Sequence, residues 1–181
     1  MKSTNTGKQT TVRIWDPLIR IVHWTLVVVF ITNYFFLEPG SQWHQWLGYI
    51  AVTAILVRIV WGFIDSGYGS FQRIDLSRQA LRKHLNHLKE RKIPVKSGHN
   101  PVGWLMIFAV ILLFLGLGVT GFLMEEVDAL FGNPTLELIH GWLADTLYGA
   151  ALIHVAAVVI VGWRGRIQLI RPMLTGKRSK S

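Results

Sequence analysis

There is no cysteine anywhere in the chain. That excludes disulfides, thiolate metal sites, cofactors tethered through thioethers and cysteine-held iron–sulfur clusters. Charge is also scarce: 16% of residues are Asp, Glu, Lys or Arg, where a soluble domain carries about 25%. Acids are the scarcer sign, 10 against 19 Lys and Arg, leaving a formal net charge of +9. No nucleophile–base arrangement and no phosphate-cradling glycine loop is present, so nothing supports hydrolysis or phosphoryl transfer, and no residue is assigned a catalytic role. Internal repeats and low-complexity tracts are absent as well.

What is abundant is apolar sequence. Half of the 181 residues are hydrophobic, and the mean hydropathy is +0.37. Four apolar runs stand out, at 18–37, 45–64, 103–124 and 136–161. About 20 residues of helix cross a bilayer core, and backbone groups in lipid must be satisfied within their own segment, which selects helices over open strands. The third run has no charge, and the fourth carries Glu137 and Asp145 near its start. A chain this short cannot bury four such helices in a soluble core. The expected fold is an all-α integral membrane protein, one four-helix transmembrane domain spanning 1–181. The first run is too long for a cleavable signal peptide and no small-residue cleavage site follows it. Trp15, Asp16 and Pro17 precede it, and Pro suits a helix's first turn.

Charge placement predicts the orientation. Lys2, Lys8 and Arg13 precede the first run. The stretch 65–102 holds Arg73, Arg78, Arg82, Lys83, Lys89, Arg91, Lys92 and Lys96, and the tail holds Arg164, Arg166, Arg171, Lys177, Arg178 and Lys180. The other two connections, 38–43 and 125–135, have no Lys or Arg and carry Glu38, Glu125, Glu126 and Asp128. The positive-inside rule then puts both termini and the long loop in the cytoplasm. This division by side accounts for the basic excess better than nucleic-acid binding does. Within the loop, 71–92 reads as an amphipathic helix on anionic lipid, with Phe71, Ile74, Leu81, Leu85 and Leu88 near helical spacing. The word GHNPVGW, 98–104, breaks the chain and restarts it.

Ionisable residues within membrane segments are functional candidates, and four histidines lie in or at the ends of the runs. His23 is near the cytoplasmic end of the first helix. His44 is at the outer end of the second, and His140 is near the outer end of the fourth. His154 follows His140 by 14 residues, about 21 Å along the axis and within about 40° of four full turns, so both share one face. Depth therefore pairs His44 with His140 and His23 with His154. Two histidines on facing helices are a bundle's usual means of holding a haem, whereas zinc wants three or four ligands at one depth. The other three, His84, His87 and His99, read as solvated or lipid-facing, with His84 and His87 close enough on one helical face to share a metal.

Smaller signals keep two readings each. Gly48, one turn from His44, and Gly116, Gly118 and Gly121 admit either a planar ring or ordinary helix packing. Arg58, 14 residues after His44, either meets a haem propionate or snorkels to headgroups. Arg20 offers the same choice. Iron with two axial imidazoles passes electrons and does not bind oxygen. Two such centres across a bilayer form a wire between the outer acids Glu125, Glu126 and Asp128, which suit a basic partner, and a quinone dissolved in the lipid. Candidate proton groups for that quinone are His99, Arg20 and Asp16 inside, or Glu137 and Asp145 outside.

IRIVHW (19–24), HQWLGY (44–49), GHNPVGW (98–104), the His140–His154 spacing and the ending IRPMLTGKR (170–178) together resemble the bacterial cytochrome b561 family, which includes b-type subunits of nickel–iron hydrogenases and is similar to the formate dehydrogenase membrane subunit. The resemblance runs from residue 11 to about 178. It implies a four-helix bundle of the bacterial inner membrane with two non-covalent b haems, ligated by His23 with His154 and by His44 with His140, and linked to quinone. It also implies a periplasmic hydrogenase or dehydrogenase subunit. The short outer connections suit a small c-type cytochrome, or no fixed partner, equally well. Two other readings are a self-contained superoxide:quinone oxidoreductase, which the absence of outer basic residues disfavours, and a haem-free anchor or transporter.

Overall fold

The structure is a computed structural model, which describes residues 11–91, 93–94 and 98–179. Lys2, Lys8, Lys92, Lys96 and Lys180 of the charge pattern lie outside the described residues. Polar caps set the helix starts. Asp16 accepts the Leu18 N–H at 2.8 Å and Pro17 opens helix α1, Pro17–Phe35. Ser41 accepts the His44 N–H at 3.3 Å and opens α2, Gln42–Ile64. Ser77 opens α3, Arg78–Lys89. Asn100 accepts the Gly103 N–H at 2.7 Å ahead of α4, Pro101–Glu126. Asn133 accepts from Thr135 and Leu136 ahead of α5, Pro134–Arg164. Each cap satisfies an otherwise unpaired N-terminal donor. A short α6, Ile170–Thr175, ends on Gly176, whose φ of +76° suits a residue without Cβ.

Among the described residues, α1, α2, α4 and α5 are long and apolar enough to span a membrane. At 19 to 31 residues they reach from about 28 to about 46 Å. They begin one to three residues before the expected runs, because the capping turns are polar and hydropathy alone passes over them. Helix α1 packs along α2, α2 against α4, and α4 against α5. The core is small: Val29, Ala51, Ile55, Ile111, Phe114 and Leu147. Gly116 lets Leu143 of α5 approach and Gly118 lets Val52 of α2 approach, so these two glycines serve helix packing. Ile21, Val28, Leu112, Ile153 and Ile160 are exposed, the surface of a bundle whose solvent is lipid. The molecule is an all-α membrane helix bundle.

One end of the bundle gathers the chain ends and the long loop. Strand β1, Thr11–Arg13, pairs antiparallel with β2, Lys177–Ser179. The Ile93 N–H donates to Gly165 O at 3.3 Å, and Asn100 Nδ2 lies 2.8 Å from His84 Nε2. The basic residues described in all three segments therefore sit at the same end of the bundle.

The loop departs from expectation in one respect. A single helix over 71–92 does not form. Phe71–Arg73 is a 3-10 turn, and Asp75 then accepts the Ser77 N–H at 2.9 Å, a turn that competes with helix. Contact with the Ser77 hydroxyl and N–H holds the Asp75 carboxyl below its usual range. Phe71 leaves the helical face and enters the bundle, edge-on to Trp104 and Phe63. Gly62 makes room for it: a Cβ there would stand 2.5 Å from the Phe71 ring. Leu81, Leu85 and Leu88 stay on α3.

Candidate functional site

The four transmembrane histidines form two pairs. His23 on α1 and His154 on α5 have ring centroids 6.2 Å apart, with their planes at 58°. His44 on α2 and His140 on α5 also have centroids 6.2 Å apart, at 56°. The expected partners are the ones brought together, and the unbroken helix α5 supplies one member of each pair. An imidazole nitrogen binds a first-row metal ion at about 2.0 Å, and adding roughly 1 Å from each nitrogen to its ring centre gives about 6 Å between opposed rings. Both pairs fit that spacing. No group of three or more His, Asp or Glu able to hold a bare ion occurs among the described residues, so the donor set suits an iron whose other ligands come from a macrocycle.

The outer pair is braced from two helices. Thr120 of α4 donates its hydroxyl proton to Gly116 O at 2.8 Å, which leaves its oxygen to accept from His140 Nδ1, also 2.8 Å away. That bond puts the ring proton on Nδ1 and leaves Nε2 with its lone pair, the usual way an outer partner prepares a ligating imidazole. Gly121 flanks the same ring, its Cβ position 3.6 Å from His140 Cε1. Asn33 of α1 donates to His44 O at 3.1 Å, fixing the first turn of α2. A Cβ on Gly48 would meet nothing within 4 Å, so the face of α2 below His44 adjoins open space. The outer acids tie helices together: Gln45 donates to Glu125 and Tyr49 to Glu126, both at 2.8 Å. Tyr34 of α1 donates to Asp145 of α5 at 2.8 Å and stacks on Tyr148.

Toward the other end lies Arg58, 7% exposed. Its Nη2 donates to Gly69 O at 2.9 Å, and its guanidinium stands 4.9 Å over the Phe71 ring. It does not snorkel out. Its Nη1 is buried without a hydrogen-bond partner. Arg20 lies against the α6 cap, with Nη1 2.7 Å from a Cβ built on Gly176, and its Nε is buried and unpaired.

His99 is neither solvated nor lipid-facing, contrary to expectation. Its ring sits between Trp15, 4.5 Å away, and Trp104, 5.1 Å away, and its Nδ1 is buried with no hydrogen-bond partner. Burial first, and then the nearby Arg58, His154 and His23, push its pKa down to about 3, so it stays neutral. Trp104 belongs to the same GHNPVGW word and was a usable signal, whereas Trp15 arrives from 84 positions earlier. Thr120 was also missed, since a threonine in an apolar run gives no sign of which neighbour it meets. His84 is engaged by Asn100, and its pKa is lowered by partial burial and then by His87; among the described residues the pair has no third ligand.

Residues 14–176 match the family described as prokaryotic cytochrome b561. No curated protein matches the chain.

Proposed function

The chain belongs to the prokaryotic cytochrome b561 family, which makes it a multi-pass bacterial membrane b-type cytochrome of electron transfer, and from that premise we propose that it carries two haems and passes electrons between a periplasmic redox partner and the quinone pool. The observation that carries this reading is the pair of matched imidazole couples, both at 6.2 Å, separated by 14 residues of α5, about 21 Å. His23 with His154 would hold one haem and His44 with His140 the other. When bound, each haem would supply a one-electron carrier, held by its histidine pair.

The residues around them orient and insulate. Thr120 fixes the His140 tautomer, Asn33 anchors the turn that bears His44, and Gly48 leaves the backbone of α2 open to a flat group. Arg58 keeps one free donor for a propionate, and Arg20 is a second candidate. In this reading the three basic segments face the cytoplasm of the inner membrane and the acidic connections face the periplasm, where a basic c-type cytochrome, or a hydrogenase or dehydrogenase subunit, would dock. The lack of Lys and Arg in those connections offers nothing to attract superoxide.

The test is a reduced-minus-oxidised spectrum and haem count on protein purified from haem-replete cells. Two low-spin b haems per chain are expected. His154→Ala should remove one of them and His140→Ala the other. A colourless product, or two haems surviving either substitution, overturns the reading.

A further inference from the structure

Among the described residues, His99 Nδ1 and Arg58 Nη1 are buried near the inner histidine pair without a hydrogen-bond partner. An unpaired buried polar atom is costly, and such orphans in native structures call for an explanation. These two come from different elements, the turn before α4 and the middle of α2, and lie within electrostatic reach of each other and of His23 and His154. The rest of each side chain is committed. Arg58 is fixed by Gly69 O and the Phe71 ring. The His99 ring is held between Trp15 and Trp104, which are 7% and 2% exposed. Asp65 comes within electrostatic reach of Arg58 but forms no ion pair with it among the described residues. Asp65 Oδ1 accepts the Gly67 N–H, and its Oδ2 is itself buried without a hydrogen-bond partner among the described residues.

A neutral imidazole has one N–H to give, and a guanidinium gives two-pronged contacts to a carboxylate. An open imidazole nitrogen and an open guanidinium nitrogen, brought to one end of the bundle through the ring contacts His99–Trp104, Trp104–Phe71 and Phe71–Arg58, match an anionic carboxylate edge better than a neutral ligand. We propose that His99 and Arg58 together form the receptor for the carboxylate side chains of the haem held by His23 and His154, so that the GHNPVGW turn is a cofactor-positioning element and not a loop. The proposal rests on the two-haem reading above. His99 touches no iron; as a neutral imidazole it acts by donating a hydrogen bond to a carboxylate, which disperses that group's negative charge and favours the reduced and more negative form of that haem. The tilted ring contacts with Trp15 and Trp104 orient it, and α4's Asn100 cap, next in sequence, fixes the turn.

The experiment is an optical redox titration of the purified full chain carrying both haems. His99→Phe keeps a flat ring between the tryptophans and removes the donor. It should make one haem about tenfold harder to reduce, a drop of about 59 mV for a one-electron couple, and leave the other where it was. His99→Gln, which retains an N–H donor, should recover most of that drop. The affected haem must be the one that survives His140→Ala and disappears in His154→Ala. Midpoints unchanged in His99→Phe, or a shift confined to the haem that His140→Ala removes, overturn the proposal. If His99→Phe fails to load haem, Arg58→Gln is titrated in its place, and unchanged midpoints there overturn it equally. A wild-type protein without two haems would instead overturn the parent reading, before any variant is compared.

Discussion

Thr120 and Gly48 carry the sharpest expectations for single residues. Thr120→Val removes the oxygen that accepts from His140 Nδ1 while keeping the branched shape. The imidazole can then move its proton to Nε2, the nitrogen needed for iron. Loss of such an outer partner typically costs 10–100-fold in affinity. The outer haem of the Thr120 variant should therefore dissociate about 10–100-fold more readily, measured by transfer to an apo-haem acceptor, with the inner haem unchanged. Gly48→Leu has a different signature. Nothing within 4 Å opposes a side chain there, so the helix should form and the protein should keep its inner haem. The outer haem should be absent from the haem count, because the new side chain fills the space beside His44. At this scale the sequence exposed the four histidines, since polar residues in apolar runs are conspicuous. It hid Thr120 and the burial of His99, whose roles are set by atoms from other helices.

Helices are held here by close approach more than by a large core. Gly118 sits where α4 crosses α2, and a Cβ on it would run into Val52, a branched side chain with little freedom to turn away. Gly118→Ala should cost about 1–3 kcal/mol of overpacking. It should lower the midpoint temperature for loss of haem absorbance in detergent, affecting both haems together, because α4 packs against both α2 and α5, and α5 supplies a histidine to each pair. Gly141→Ala is the control: no atom lies within 4 Å of its Cβ position, and the midpoint should stay put. The four spans were legible because about 20 apolar residues in a row have few alternatives in a short chain. Their true starts were less legible, since Asp16, Ser41, Asn100 and Asn133 are polar and count against helix on a hydropathy scale while capping it in fact. The loop helix was overextended for a related reason. The spacing of Phe71 and Ile74 suits a helix, but the Asp75–Ser77 turn breaks it, and Phe71 finds a better site against Gly62 and Trp104.

For the molecule as a whole, the decisive property is which way it faces. The absence of cysteine makes single introduced thiols clean reporters. Glu38→Cys, on the acidic connection between α1 and α2, should react in intact cells with a thiol reagent that cannot cross the inner membrane. Lys83→Cys, exposed on α3, should react only after the membrane is opened. The reverse pattern would invert the assigned orientation and with it the side from which a redox partner approaches. By itself the sequence determined the number of spans, the gathering of basic charge toward one side and the two histidine pairings. All three follow from one-dimensional quantities: length of apolar run, position of charge, and helical phase along α5. Only the tertiary structure decided what surrounds each imidazole, that β1 meets β2 across most of the chain, and that Arg58 and His99 each bury a polar atom without a partner among the described residues. Those outcomes depend on contacts between residues far apart in sequence, where each side chain's environment is fixed by partners that no local pattern names.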